Sequence, residues 1–240
     1  MSIAAKLREL HPRRFFLEPW KKLDEEAAEL RREREAKGLG YDYRPLVAFT
    51  FGAVCLTLME YFGMPDTFRR LVDYGVTLEN EGSLDSTFFR SFVPRFGEPN
   101  HPWWEFGNHA YWAVWRVLGF FVLPLIAIKM TGERVRDQFL RTQGFRDKLW
   151  IYLLSFAVVF VCVIGVSFTE GFQTYYPFYK QSHRSWLDFL SWELLYLAQF
   201  FSLEFFFRGW WLRACRSLGS GAIFAMMVPY VMIHYGKEFP

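Results

Sequence analysis

Glu204 and Arg208 stand one helical turn apart inside an apolar, aromatic run, Leu203-Glu204-Phe205-Phe206-Phe207-Arg208-Gly209. At the centre of a membrane helix an ionised group costs about 2.5 to 3.5 kcal/mol on insertion scales, so such a pair implies either a function or a partner. A third polar group, His234, closes the apolar stretch Tyr230-Val231-Met232-Ile233-His234. Counting outward from Gly219 in the turn Gly219-Ser220-Gly221, Glu204 lies fifteen residues before and His234 fifteen residues after. At about 1.5 Å per residue, two antiparallel helices would carry both groups to about 22 Å from the turn. The chemistry that suits an acid, a guanidinium and an imidazole in one hollow is water activation. Glu204 takes a proton from water, Arg208 orients the carboxylate, and His234 positions the water, stabilises an oxyanion or binds a metal. One Glu and one His fall short of the donor set of a catalytic zinc site, so the metal ligands stay unknown and a divalent metal such as zinc remains an open cofactor.

These groups must be held by membrane helices. Apolar residues make up 52% of the 240 and aromatics 21%, yet mean hydropathy is only +0.04, because apolar stretches alternate with charged ones. A window of about 20 residues resolves the two populations. It predicts about five spans, at 46–63, 110–128, 149–168, 186–212 and 221–236, of which 149–168 carries no charge. Only helices or closed barrels satisfy the backbone in lipid, and these segments are too long for barrel strands, so the expected fold is an all-α polytopic transmembrane helix bundle. Residues 1–44 form a charged helical arm and residues 45–240 the transmembrane domain. Within the arm, Asp24, Glu25 and Glu26 come early and Arg31, Arg32, Arg34 and Lys37 late, with Gly38 and Gly40 as stops, which predicts a solvated helix over 23–37.

Lys and Arg number eleven in 1–44, four in 64–109, six in 129–148, two in 169–185 and two in 213–218. The alternation places the amino terminus in the cytoplasm of a multi-pass cell-membrane protein. Residues 1–44 mix both charge signs without an apolar core, so no cleavable signal is expected and the first span acts as the targeting signal. Cys55, Cys162 and Cys215 show no metal-ligand spacing and read as packing residues.

Three further features bear on the site. Glu193, eleven residues before Glu204, falls in the same helical stripe and reads as a structural polar group. Glu60 and Arg116 lie near matching ends of the first two spans and are expected to pair. Residues 64–109, punctuated by Pro65, Gly82, Pro94, Gly97, Pro99 and Pro102, read as an extracytoplasmic loop with Trp103 and Trp104 as interfacial anchors.

The run Glu204-Phe-Phe-Phe-Arg208-Gly209 followed by Pro229-Tyr230-Val-Met-Ile-His234 resembles the CPBP intramembrane metalloprotease family, the CAAX prenyl endopeptidase and bacteriocin-processing group. Its motifs are EExxxR and FxxxH. Arg208 matches the arginine, Glu204 the second glutamate, Tyr230 the aromatic and His234 the histidine, within about the last fifty residues. Leu203 stands where the family has its first glutamate, the usual base, and the family's third motif, a later His with Asn or Asp, would fall beyond Pro240. A truncated member is the expectation.

The resemblance implies an endopeptidase that cleaves near the end of a membrane-anchored or lipidated protein. The expected partners are membrane lipid and a membrane-anchored protein or peptide substrate, with no nucleic acid. The competing expectation is a non-catalytic membrane immunity or substrate-binding protein that kept the fold and lost the chemistry, which Leu203 favours. A transporter is disfavoured, because no pair of short Gly/Pro-broken spans occupies corresponding halves.

Overall fold

The computed structural model describes residues 11–94, 101, 103–138 and 145–235, and no strand occurs among them. After a π-helical turn at Arg13–Leu17 the chain forms α1 (Glu18–Ala36), α2 (Arg44–Phe62), α3 (Pro65–Asn80) and α4 (Phe88–Phe92). Next come α5 (Trp104–Val117), a π segment at Leu118–Val122 and α6 (Leu123–Met130), which together make one continuous helix. Then follow α7 (Phe145–Val166), α8 (Glu170–Tyr175), α9 (Trp186–Glu204), a π segment at Phe205–Trp211, α10 (Leu212–Ala214) and α11 (Gly221–Met232).

Among the described residues three helices are long and apolar enough to cross a membrane: Arg44–Phe62, Trp104–Met130 and Leu149–Val166. The other two expected spans fall outside this class. Asp188, Glu193 and Gln199 interrupt the apolar run of α9, and α11 has only 12 residues, short of the roughly 20 that a crossing takes. The span expected at 221–236 therefore ends as a helix at Met232, and residue 236 lies outside the described residues. Leu149–Val166 buries none of its apolar window within the chain, so hydrocarbon is the solvent its composition suits on every side.

The chain divides into two compact units. The first comprises Met1–Cys55, Leu123–Leu140 and Glu204–Tyr235. Its core is built from Ala48, Cys55, Ile128, Phe206, Phe207 and Trp211. The amino-terminal arm is not a freely solvated helix. Ser220 N donates to Asp24 Oδ1 at 2.7 Å, Arg31 Nη1 donates to the Ser217 carbonyl at 2.6 Å, and Trp20 meets Phe224 edge-on at 5.8 Å. Charge periodicity showed the helix but not the turn it packs against, 186 residues away at Ser217.

Just before α2, Asp42 accepts three N–H groups of Arg44, from Nε at 2.7 Å, Nη2 at 2.8 Å and the backbone amide at 3.3 Å. Burial pulls the Asp42 carboxyl upward, but those bonds, the Ser217 hydroxyl and the Arg44 charge outweigh it and hold it at about 2, against 3.8 when free. A carboxyl lowered in the folded state stabilises above pH 3.8, and its contribution disappears as pH falls through about 2. Screened by solvent, the expected loss over that window is about 1–2 kcal/mol. Thermal unfolding of Asp42→Asn in detergent should show a shallower acid decline than the unaltered chain. Parallel pH profiles would refute the assignment.

The second unit comprises Leu56–Val122, Arg141–Leu203 and Gly236–Pro240. The expected loop at 64–109 contains a helix instead, since Pro65 occupies the first turn of α3, where its missing N–H costs nothing. Val72, Gly75 and Glu79 form the buried stripe of α3, and Phe68 packs against Trp104 at 5.4 Å and Tyr111 at 5.5 Å. The Glu79 carboxylate accepts the amides of Phe89 at 2.9 Å and Arg90 at 2.7 Å and so caps α4. Trp104 is buried while Trp103 is exposed, so only the latter is free for an interfacial role. Buried Tyr179 donates to Asp188 at 2.8 Å, and Arg184 donates to both; burial, with the bond to Asp188, pushes the Tyr179 phenol up to about 12.

Glu60 and Arg116 form no ion pair within 4.0 Å among the described residues. The Arg116 guanidinium lies over the rings of Trp112 and Phe120, 5.4 Å from each centroid, and Glu60 is exposed, within electrostatic reach only. Two aromatic faces one turn either side of Arg116 solve the cost of its charge more locally than a partner on another helix.

Candidate functional site

Glu204 is the last α-helical residue of α9, and the chain widens there into the π segment Phe205–Trp211. Seven residues, six of them apolar or glycine and all six buried, pack on every side except one, and Arg208 alone is exposed. A π turn within an α-helix is a recurrent feature of functional sites. The Arg208-Gly209 step has a local cause. A Cβ at Gly209 would come within 2.9 Å of the Gln138 carbonyl oxygen, so the backbone approach admits only glycine.

The acid and the guanidinium are paired. Arg208 Nη1 donates to Glu204 Oε2 at 2.6 Å, with the side chains 60% and 40% exposed. No partner of Glu204 Oε1 occurs among the described residues, so one oxygen of the carboxylate remains an acceptor. The pair is thus open to the surface while its neighbours in the π segment are buried.

The π segment packs against α11, and Tyr230 is the hinge of that contact. Its ring meets Phe207 edge-on at 5.1 Å and lies 5.7 Å from the Arg208 guanidinium carbon. His234 stands 5.4 Å from the same ring, centroid to centroid. Glu204, Arg208, Tyr230 and His234 thus form one sequence of contacts across two helices. Pro229 lies inside α11, and Ile233 N reaches its carbonyl at 3.3 Å before the helix gives way to a turn. His234 sits in that turn, exposed rather than within a helix.

The imidazole is oriented by its own backbone. His234 Nδ1 lies 3.0 Å from the Tyr230 carbonyl oxygen, and a carbonyl only accepts, so in the neutral ring Nδ1 carries the proton and Nε2 presents a lone pair. Such an Nε2 accepts a hydrogen bond from water or ligates a cation. Glu193, on α9, makes no ion pair among the described residues and is half-buried. The structure gives it no place in the contacts just described.

A resident metal does not fit these residues. Among the described residues no three of His, Cys, Asp and Glu come together as donors, and Glu204 already commits one oxygen to Arg208. Sequence reading also missed a second polar constellation, Asp42, Arg44, Glu133, Gln138, Arg213 and Arg216, which gathers in the first unit. Its only sequence signal is that these charges flank apolar runs.

No family model matches this chain, and neither a curated protein nor a solved structure matches it.

Proposed function

We propose that this chain is an intramembrane endopeptidase that hydrolyses a peptide bond near the end of a membrane-anchored or lipidated protein. The observation that supports it most is the contact sequence from Glu204 through Arg208 and Tyr230 to His234. In this reading water approaches Glu204 Oε1, and its proton passes to the carboxylate as the oxygen attacks the scissile carbonyl. His234 Nε2 accepts the water's other hydrogen and fixes its direction. The Arg208 guanidinium, its remaining N–H groups exposed, stabilises the oxyanion, and the proton on Glu204 then passes to the leaving amide nitrogen. In this reading α9 through α10 add a fourth crossing to the three long apolar helices, and α11, too short to cross by its own length, enters the layer as a fifth membrane segment. The amino terminus lies on the cytoplasmic side of the cell membrane, as the Lys and Arg alternation favours.

A second reading, a non-catalytic immunity or substrate-binding protein, draws support from buried Leu203 and from the ion pair that occupies Glu204. One experiment separates the two. The full chain in liposomes is incubated with a reporter carrying a single apolar anchor near its carboxyl end. Cleavage within or beside the anchor supports the protease, and retention of intact reporter on the chain supports the binding protein.

A further inference from the structure

The polar constellation of the first unit is independent of Glu204. Arg44 opens α2, and Glu133 follows Met130, the end of Trp104–Met130, by three positions. Both therefore stand where an apolar helix meets the headgroup layer. Arg44, besides its three bonds to Asp42, donates to Glu133 Oε1 at 3.1 Å. Glu133 also accepts Gln138 Nε2 at 2.9 Å and has Arg216 Nη2 at 3.6 Å. Arg213 is close enough for its charge to act on Arg216. Three guanidiniums thus surround two carboxylates, and one positive charge is left over.

The hydrogen-bond accounting points the same way. Arg213 makes no hydrogen bond or ion pair with any described residue, and the Nε atoms of Arg213 and Arg216 are buried without an acceptor. A buried, charged donor left unmade is costly, and these two belong to one cluster that carries a surplus positive charge. Both side chains are nonetheless partly exposed, so their outer nitrogens open to the surface. The group that answers two guanidinium forks and one surplus charge is a phosphate, which offers several acceptor oxygens in matching geometry. At the depth of Arg44 and Glu133, the abundant phosphates are those of lipid headgroups. We infer that Arg213 and Arg216 hold the phosphate of an anionic membrane lipid at the membrane face where α2 begins.

The test titrates the full chain in detergent with phosphatidylglycerol, phosphatidylcholine or inorganic phosphate and follows the thermal unfolding midpoint. Phosphatidylglycerol should raise the midpoint saturably and phosphatidylcholine should not. Arg213→Gln, which breaks no contact among the described residues, should weaken phosphatidylglycerol binding about tenfold, the usual worth of one charged hydrogen bond. Arg213→Lys should recover part of that loss. Equal stabilisation by inorganic phosphate would overturn the lipid assignment, and so would an unaltered titration in Arg213→Gln. Where Arg213→Gln does not fold, native mass spectrometry of the unaltered chain decides. Phosphatidylglycerol retained under phosphatidylcholine challenge supports the site, and complete exchange sinks it.

Discussion

Glu204→Gln is expected to reduce cleavage of a membrane-anchored reporter by at least about a hundredfold, the lower end of what a positioned general base contributes. The amide still accepts the Arg208 N–H that now sits 2.6 Å from the carboxylate, so the local structure and membrane insertion should persist. What disappears is the charge that takes the proton from water. His234→Ala removes the Nε2 acceptor and should cost a comparable factor, again with insertion intact. Because His234 is exposed and its only polar contact among the described residues is with a carbonyl four residues earlier, its loss opens no cavity in the chain. Rates in liposomes normalised to inserted protein check both. Cleavage at more than about a tenth of the unaltered rate in either variant would falsify the assignment of the site.

Gly52→Val should be the most damaging single change to the fold. Gly52 is buried on α2, and a Cβ built there lands on the indole of Trp211, 2.5 Å from Cη2 and nearer still to Cζ3. Trp211 is 2% exposed and wedged between Phe49 at 5.6 Å, Phe206 at 5.5 Å and Phe207 at 5.9 Å, so the ring has nowhere to go. Overpacking of this kind costs about 1–3 kcal/mol, and two additional methyl groups on a β-branched side chain place Gly52→Val at about 3. For a chain of this length that is a fall of roughly 10 °C in Tm. Trp211 belongs to the π segment that carries Arg208, so the same change should also loosen the Glu204 pair and lower cleavage. Combining it with Trp211→Leu, which vacates the contested space, should recover more than about 1 kcal/mol relative to the sum of the single effects. Strict additivity would show that the contact is not the cause.

The lipid-phosphate site and the catalytic proposal fail separately. Arg213 and Arg216 make no contact with Glu204 or His234 among the described residues, so Arg213→Gln should leave peptide cleavage in detergent unchanged. The acid dependence of Asp42 concerns stability alone, within a pH window well below that in which the protease would be assayed.

The pairing of Glu204 with Arg208 was legible because its spacing is local. Glu204 and Arg208 meet at helical distance, and counting from Gly219 pointed to His234 on the helix whose Tyr230 lies against Arg208 and beside His234. The apolar runs at 46–63, 110–128 and 149–168 were equally plain, and they fall in the helices Arg44–Phe62, Trp104–Met130 and Leu149–Val166, since hydrocarbon sorts sequence by composition in windows of about 20 residues. Composition was a poorer guide to α9, where Asp188 and Glu193 break the run, and to α11, which stops at Met232. It also read Pro65 as a breaker, although a proline in the first turn begins a helix.

The tertiary structure alone decided which charges distant in sequence meet. Arg116 settled on Trp112 and Phe120 instead of Glu60, because its nearest aromatic faces lie on its own helix. Asp42, Glu133 and Arg216 came together from segments about ninety residues apart, and Gly52 was committed to Trp211 across 159 positions. Periodicity records the solvent each residue prefers. It carries no record of partners, which depend on how helices distant in sequence are packed side by side, and that packing is fixed by the shapes of Trp211, Phe206 and Phe207 rather than by their hydrophobicity.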